Sequence, residues 1–121
     1  MTDRTIKLHR IAHGRTGDKG NRLNISVIAY HPPAWDLLCQ QVTAARVLEL
    51  FAHRGASRIR RYELPNLCAL NFVIDNALQG GVNAALMLDT HGKTNVFRVL
   101  DLDVKVPETL VERIMVGYKA V

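Results

Sequence analysis

Residues 13–24, His-Gly-Arg-Thr-Gly-Asp-Lys-Gly-Asn-Arg-Leu-Asn, concentrate glycine, charge and amide side chains as no other stretch of the chain does. Glycines in such a run let backbone N–H groups turn toward a common point, the geometry of a small anion cradle. Arg15, Lys19 and Arg22 add cationic donors, and Asp18, Asn21 and Asn24 either brace the loop or touch a ligand. The chemistry this suits is capture of a carboxylate or phosphate, with Arg15, Gly17, Asp18, Lys19, Gly20, Asn21 and Asn24 as the candidate binding residues. The same residues also fit a surface turn between two strands whose charges are solvated. Neither a P-loop nor a dinucleotide fingerprint is present, because the glycine spacing matches neither.

A second polar cluster lies in residues 62–72, Tyr-Glu-Leu-Pro-Asn-Leu-Cys-Ala-Leu-Asn-Phe. Glu63 is a general base if burial raises its pKa, and a structural ion-pair partner for Arg15 or Arg61 otherwise. Asn66 and Asn71 are candidate ligand contacts; Asn66 also suits a helix cap, and Asn71 a buried, hydrogen-bonded amide. The histidines at 9, 13, 31, 53 and 91 are scattered, without metal-ligand spacing, and no G-x-S-x-G surrounds Ser26 or Ser57. No metal site and no cofactor is identified.

The elements that must position these residues follow from periodicity. Residues 5–13 alternate as a half-buried strand, the glycine stretch ends it as a loop, and residues 23–30, rich in β-branched side chains, form a central strand. Pro33 opens a helix that runs to about residue 53, with Thr43 placed to break it and cap a second piece. Residues 57–64 read as a strand with neither face cleanly apolar, which suits a sheet edge or a contact with another subunit. After Pro65-Asn66, the stripe Leu67, Leu70, Ile74, Ala77, Leu78 predicts a second helix ended by Gly80-Gly81. Residues 82–88 are a further strand, 89–93 a turn, 94–103 fit a short helix capped by Thr94 better than the second arm of a hairpin, which Val96-Phe97-Arg98-Val99 also suits, and Pro107 opens a last helix that could dock on a partner.

This order predicts an α+β two-layer sandwich of ferredoxin-like type, with a mostly antiparallel sheet, two helices on one face and the first strand added at an edge. The 121 residues suffice for one domain, expected over residues 1–106, with residues 107–121 as a helical extension. A net charge of +5 raises nucleic acid as a partner, and Arg58, Arg60 and Arg61 cluster, but only 6% of the residues are aromatic and no stacking motif interleaves the cations. An anionic small molecule or an acidic partner accounts for the charge instead. No run of apolar residues is long enough to span a membrane and no signal core follows Met1, so a cytoplasmic chain is expected. Cys39 and Cys68 are distant, with no C-x-x-C pair, and are expected as buried free thiols.

Arg15-Thr-Gly-Asp-Lys-Gly-Asn21 with Asn24-Ile25, Arg61-Tyr-Glu-Leu-Pro-Asn66 with Ala69-Leu-Asn-Phe72, Gly80-Gly81-Val82, and Leu88-Asp89 with Gly92-Lys93 together resemble the ferredoxin-like domain of the acyclic terpene utilisation (AtuA) family. The similarity runs from about Ile6 to about Val106, with Thr16 where a smaller residue such as serine is expected. The resemblance implies a role in bacterial breakdown of branched or terpenoid acids through acyl-CoA intermediates. It also implies a separately encoded large AtuA-type subunit as partner, since in that family the domain often follows a much larger one. It assigns no catalytic residue. Two other readings stand beside it. One is a self-sufficient homo-oligomeric acyl-CoA lyase or hydratase, with Glu63 or Asp18 as base and Arg15 or Lys19 steadying an enolate. The other is a non-catalytic scaffold that oligomerises through residues 58–63 and its tail.

Overall fold

A computed structural model describes residues 3–19, 22–51, 58–75 and 96–117. Two antiparallel sheets organise them. β1 (Asp3–Lys7) pairs with β6 (Asp103–Pro107), joining the two ends of the described chain. β2 (Ala12–Lys19), β3 (Arg22–Ala29), β4 (Arg58–Leu64) and β5 (Ala69–Asp75) form a four-stranded sheet in the order β2-β3-β5-β4. With helices packed on one side of it, this is the α+β sandwich that the sequence predicts.

Alternation in β3 and β5 defines the layers. Leu23, Ile25, Val27, Leu70, Phe72 and Ile74 are all fully buried, aligned pairwise across the two central strands. Against this inner face lie α1 (Trp35–Gln41) and α2 (Ala44–Phe51), through Leu38, Val47 and Phe51, together with a helical turn over residues 96–100. The long expected helix is thus two. Val42 leaves helical geometry at φ −93°, ψ 76°, and the Thr43 hydroxyl then accepts from the Arg46 N–H at 3.2 Å, the cap its residue type suggested.

Several expectations are corrected. The glycine stretch is not a loop: β2 continues through it to Lys19, each residue in register with β3. Gly14 is needed there for close approach, since a Cβ would stand 2.6 Å from Val96 Cγ2 and 2.8 Å from the Ser26 carbonyl. The first expected strand is split by a 3-10 turn at Leu8–Arg10, so β1 joins β6 and adds no edge to the main sheet. As far as Asp75 the second expected helix is strand β5, and its expected end at residues 76–81 lies outside the described residues. Leu70, Phe72 and Ile74 repeat every second residue, and registered against β3 that period buries all three completely. Asn71 and Asp75 therefore belong to a sheet face.

Cys68, expected within a helix, is a left-handed residue at φ 51°, ψ 44° between a 3-10 turn (Pro65–Leu67) and β5. Both cysteines are free thiols, partly buried. Pro107 closes β6 where a helix start was expected, and α3 (Val111–Ile114) follows, sending Val111 and Ile114 into the same core as Ile6 and Val104. The expected short helix near 94–103 is present at residues 96–100. The expected strand at 82–88 and turn at 89–93 lie outside the described residues.

α1 is tied to β6 by a side chain that behaves as a short strand. Gln41 Nε2 donates to the Lys105 carbonyl at 2.6 Å and Oε1 accepts from the Lys105 N–H at 2.7 Å. Arg46 Nη2 reaches the neighbouring Asp103 carbonyl at 2.9 Å.

Candidate functional site

Outward-facing residues of the four strands form a second surface, opposite the helices. Register places Arg15, Ser26, Asn71 and Tyr62 in one row across β2, β3, β5 and β4. The adjoining row is Gly17, Asn24, Val73 and Arg60. Neighbours in such a row stand about 4.8 Å apart, so a ligand the size of a carboxylate or phosphate touches two or three strands at once.

At its centre Asn71 Nδ2 donates to Asn24 Oδ1 at 2.6 Å and to Ser26 Oγ at 2.9 Å. All three residues are half-buried. Spending Asn71's donors this way leaves the Asn24 amide N–H groups, the Ser26 hydroxyl hydrogen and the Asn71 carbonyl oxygen for a ligand. Cations ring the cluster. Arg22 is engaged by Asp75, Nε to Oδ1 at 2.9 Å. Among the described residues Arg15, Arg58 and Arg60 have no ion-pair partner, and all three are exposed. The face therefore offers neutral donors in the middle and positive charge at the rim, an arrangement that attracts and orients an anion.

Of the residues singled out from sequence, Arg15, Gly17, Asn24 and Asn71 come together here. Asp18 and Lys19 lie in β2 opposite Leu23 and Arg22, while Gly20 and Asn21 fall outside the described residues. Glu63 and Asn66 do not join them. Glu63 belongs to the helix-side face of β4, where its carboxylate accepts from Arg61 Nη2 at 2.8 Å, the ion-pair reading of that residue. Arg61 in turn donates through Nη1 to the carbonyls of Cys39 and Val42 at the end of α1, at 3.0 and 3.3 Å. Asn66 is exposed in the turn between β4 and β5. Nearby, burial pushes the Cys39 thiol pKa up; the charge of Glu63 adds to the rise and that of Arg61 opposes it.

Sequence reasoning missed Ser26 and Tyr62. The signal for Ser26 was its spacing of two from Asn24 in a strand, which puts both side chains on one face. Also unforeseen is an open groove of about 740 Å³ along the β2 margin, lined by His9, His13, Tyr30, Phe97 and Leu100. The rings of His13 and Tyr30 stand 5.0 Å apart there, tilted by 40°. Among the described residues no cluster of His, Cys, Asp and Glu could hold a metal ion, and no helix is long and apolar enough to cross a membrane.

A family model described as the AtuA ferredoxin-like domain matches residues 6–105. Neither the curated proteins nor the solved structures yield a match.

Proposed function

Because the chain belongs to the AtuA ferredoxin-like domain family over residues 6–105, we propose that it is the small component of a catabolic system for branched or terpenoid acids. In this reading the outer sheet face holds the carboxylate or acyl-CoA phosphate end of the substrate, and a separately encoded large AtuA-type subunit supplies the remainder of the site. The observation that carries it is the hydrogen-bonded Asn24–Ser26–Asn71 cluster flanked by Arg15 and Arg60, which have no ion-pair partner among the described residues. Among the described residues this β-face encloses no pocket for an acyl chain, so an anion bound there is best served by a second protein surface that shuts out water.

A self-contained lyase has Glu63 or Asp18 as its base; Glu63 is ion-paired to Arg61 and belongs to the opposite side of the sheet from Arg15 and Asn71, which leaves Asp18 for that role.

The test is co-expression with a large AtuA-type protein of the same organism, followed by titration of the complex with a branched acyl-CoA. A stoichiometric complex is expected, with affinity lowered about tenfold or more in Arg15→Ala, since a charge-assisted hydrogen bond is lost. Absence of both a complex and acyl-CoA binding would overturn the reading.

A further inference from the structure

Among the described residues β4 is an edge of its sheet, and the pattern of that edge selects one partner. Ala29 N–H donates to the Cys68 carbonyl at 2.9 Å, so in β5 the even-numbered residues turn their backbone groups toward β3 and the odd-numbered ones toward β4. Tyr62 pairs with Asn71 and Arg60 with Val73, so these even residues of β4 spend their N–H and C=O on β5. Ile59, Arg61 and Glu63 therefore aim theirs outward. No proline or bulge interrupts the strand, and among the described residues no strand lies beyond it. Beside this edge Tyr62, Leu64 and Leu67 are 46%, 41% and 66% exposed.

We propose that β4 pairs antiparallel with β4 of a second copy of this chain, about a two-fold axis at Tyr62. Outward-pointing residues must meet outward-pointing residues, which limits the axis to a residue of the strand itself. An axis at Arg60, Arg61 or Glu63 sets that charge against its own copy, and like charges directly opposite destabilise a sheet. With the axis at Tyr62, Arg61 faces Glu63 of the partner subunit, and Glu63 faces Arg61 of the partner subunit. Each such pair exchanges both backbone hydrogen bonds and joins opposite charges. Tyr62 then meets its counterpart at the close, non-hydrogen-bonded position, and Leu64 lies along the stem of Arg60 of the partner subunit, covering the exposed apolar side chains. The cluster of arginines blocks other registers while leaving this one open, which is how an edge strand accepts a copy of itself without inviting aggregation. The two sheets become one, and the polar row Arg15–Ser26–Asn71–Tyr62 continues into its symmetry mate on the same face.

Sedimentation of the full chain across the micromolar range tests this, independently of any ligand or large subunit. A monomer–dimer equilibrium is expected. Glu63→Arg turns both symmetry-related pairs from opposite to like charge and raises the dissociation constant about tenfold or more. Glu63→Pro removes an outward N–H and no bond to β5, so it yields a monomer with unchanged circular dichroism. A wild type that stays monomeric, or a dimer that persists in both variants, would overturn the proposal.

Discussion

The two faces of the four-stranded sheet are made from alternate residues of the same strands and have opposite physical characters. Toward the helices, Leu70, Phe72 and Ile74 of β5 are sealed from water; one residue along, Asn71 donates to side chains of β3 on a face that is polar and basic. A period of two lets one strand carry core and candidate site without compromise between them, because neither set of side chains reaches the other. The consequence is a division of labour testable by paired substitutions, one on each face.

The largest contrast is expected at adjacent residues of β5. Phe72→Ala empties a fully buried site and should lower unfolding free energy in urea by about 3–5 kcal/mol, whereas Asn71→Ala should cost about 0.5–1.5 kcal/mol while impairing anion binding. Equal costs would mean that Asn71 is a structural residue first. A smaller contrast belongs to β2. Gly14→Val drives a side chain into Val96 and the Ser26 carbonyl and should destabilise by about 1–3 kcal/mol. Gly17→Val, on the outer face with its nearest neighbour, Asn24 Cβ, at 3.9 Å, should be close to neutral in thermal melts.

The smallest effect concerns the helix side alone. Burial raises the Cys39 thiol pKa above its ordinary value of 9.0, so the folded chain holds that proton more tightly than the unfolded chain. Stability from this source is fully present below the unfolded value and is lost as pH rises through the folded one. Alkylation of Cys39 by iodoacetamide should accordingly set in at higher pH in the folded chain than in urea, and Cys39→Ser should flatten the alkaline part of the stability profile. Coincident alkylation profiles would show that the thiol is not held in its neutral form.

The sequence was legible where local chemistry is unambiguous. Thr43 announced the break between α1 and α2 because a hydroxyl there satisfies an otherwise orphaned N–H. The mixed faces of residues 57–64 suited a sheet edge or a subunit contact, and among the described residues β4 is an edge. Legibility failed where one apolar pattern fits two periods. Leu67, Leu70 and Ile74 lie at helical spacing, while Leu70, Phe72 and Ile74 lie at strand spacing, and only pairing with β3 separates them. Glycine and aspartate likewise made residues 14–19 look like a loop, yet a strand tolerates glycine when a neighbour packs as closely as Val96 does on Gly14. β6 was missed because its partner, β1, lies at the other end of the chain.

By itself the sequence determined the sandwich class, the family relation and the inventory of polar residues, because alternation, caps and motif order are local properties of the chain. Which of those residues share a surface was decided by tertiary structure alone. Asn24 and Asn71 stand 47 positions apart, and Glu63, only eight before Asn71, ends on the opposite face. Strand register is fixed by burying the whole inner face at once, and a slip of one residue in any strand would exchange its two sides.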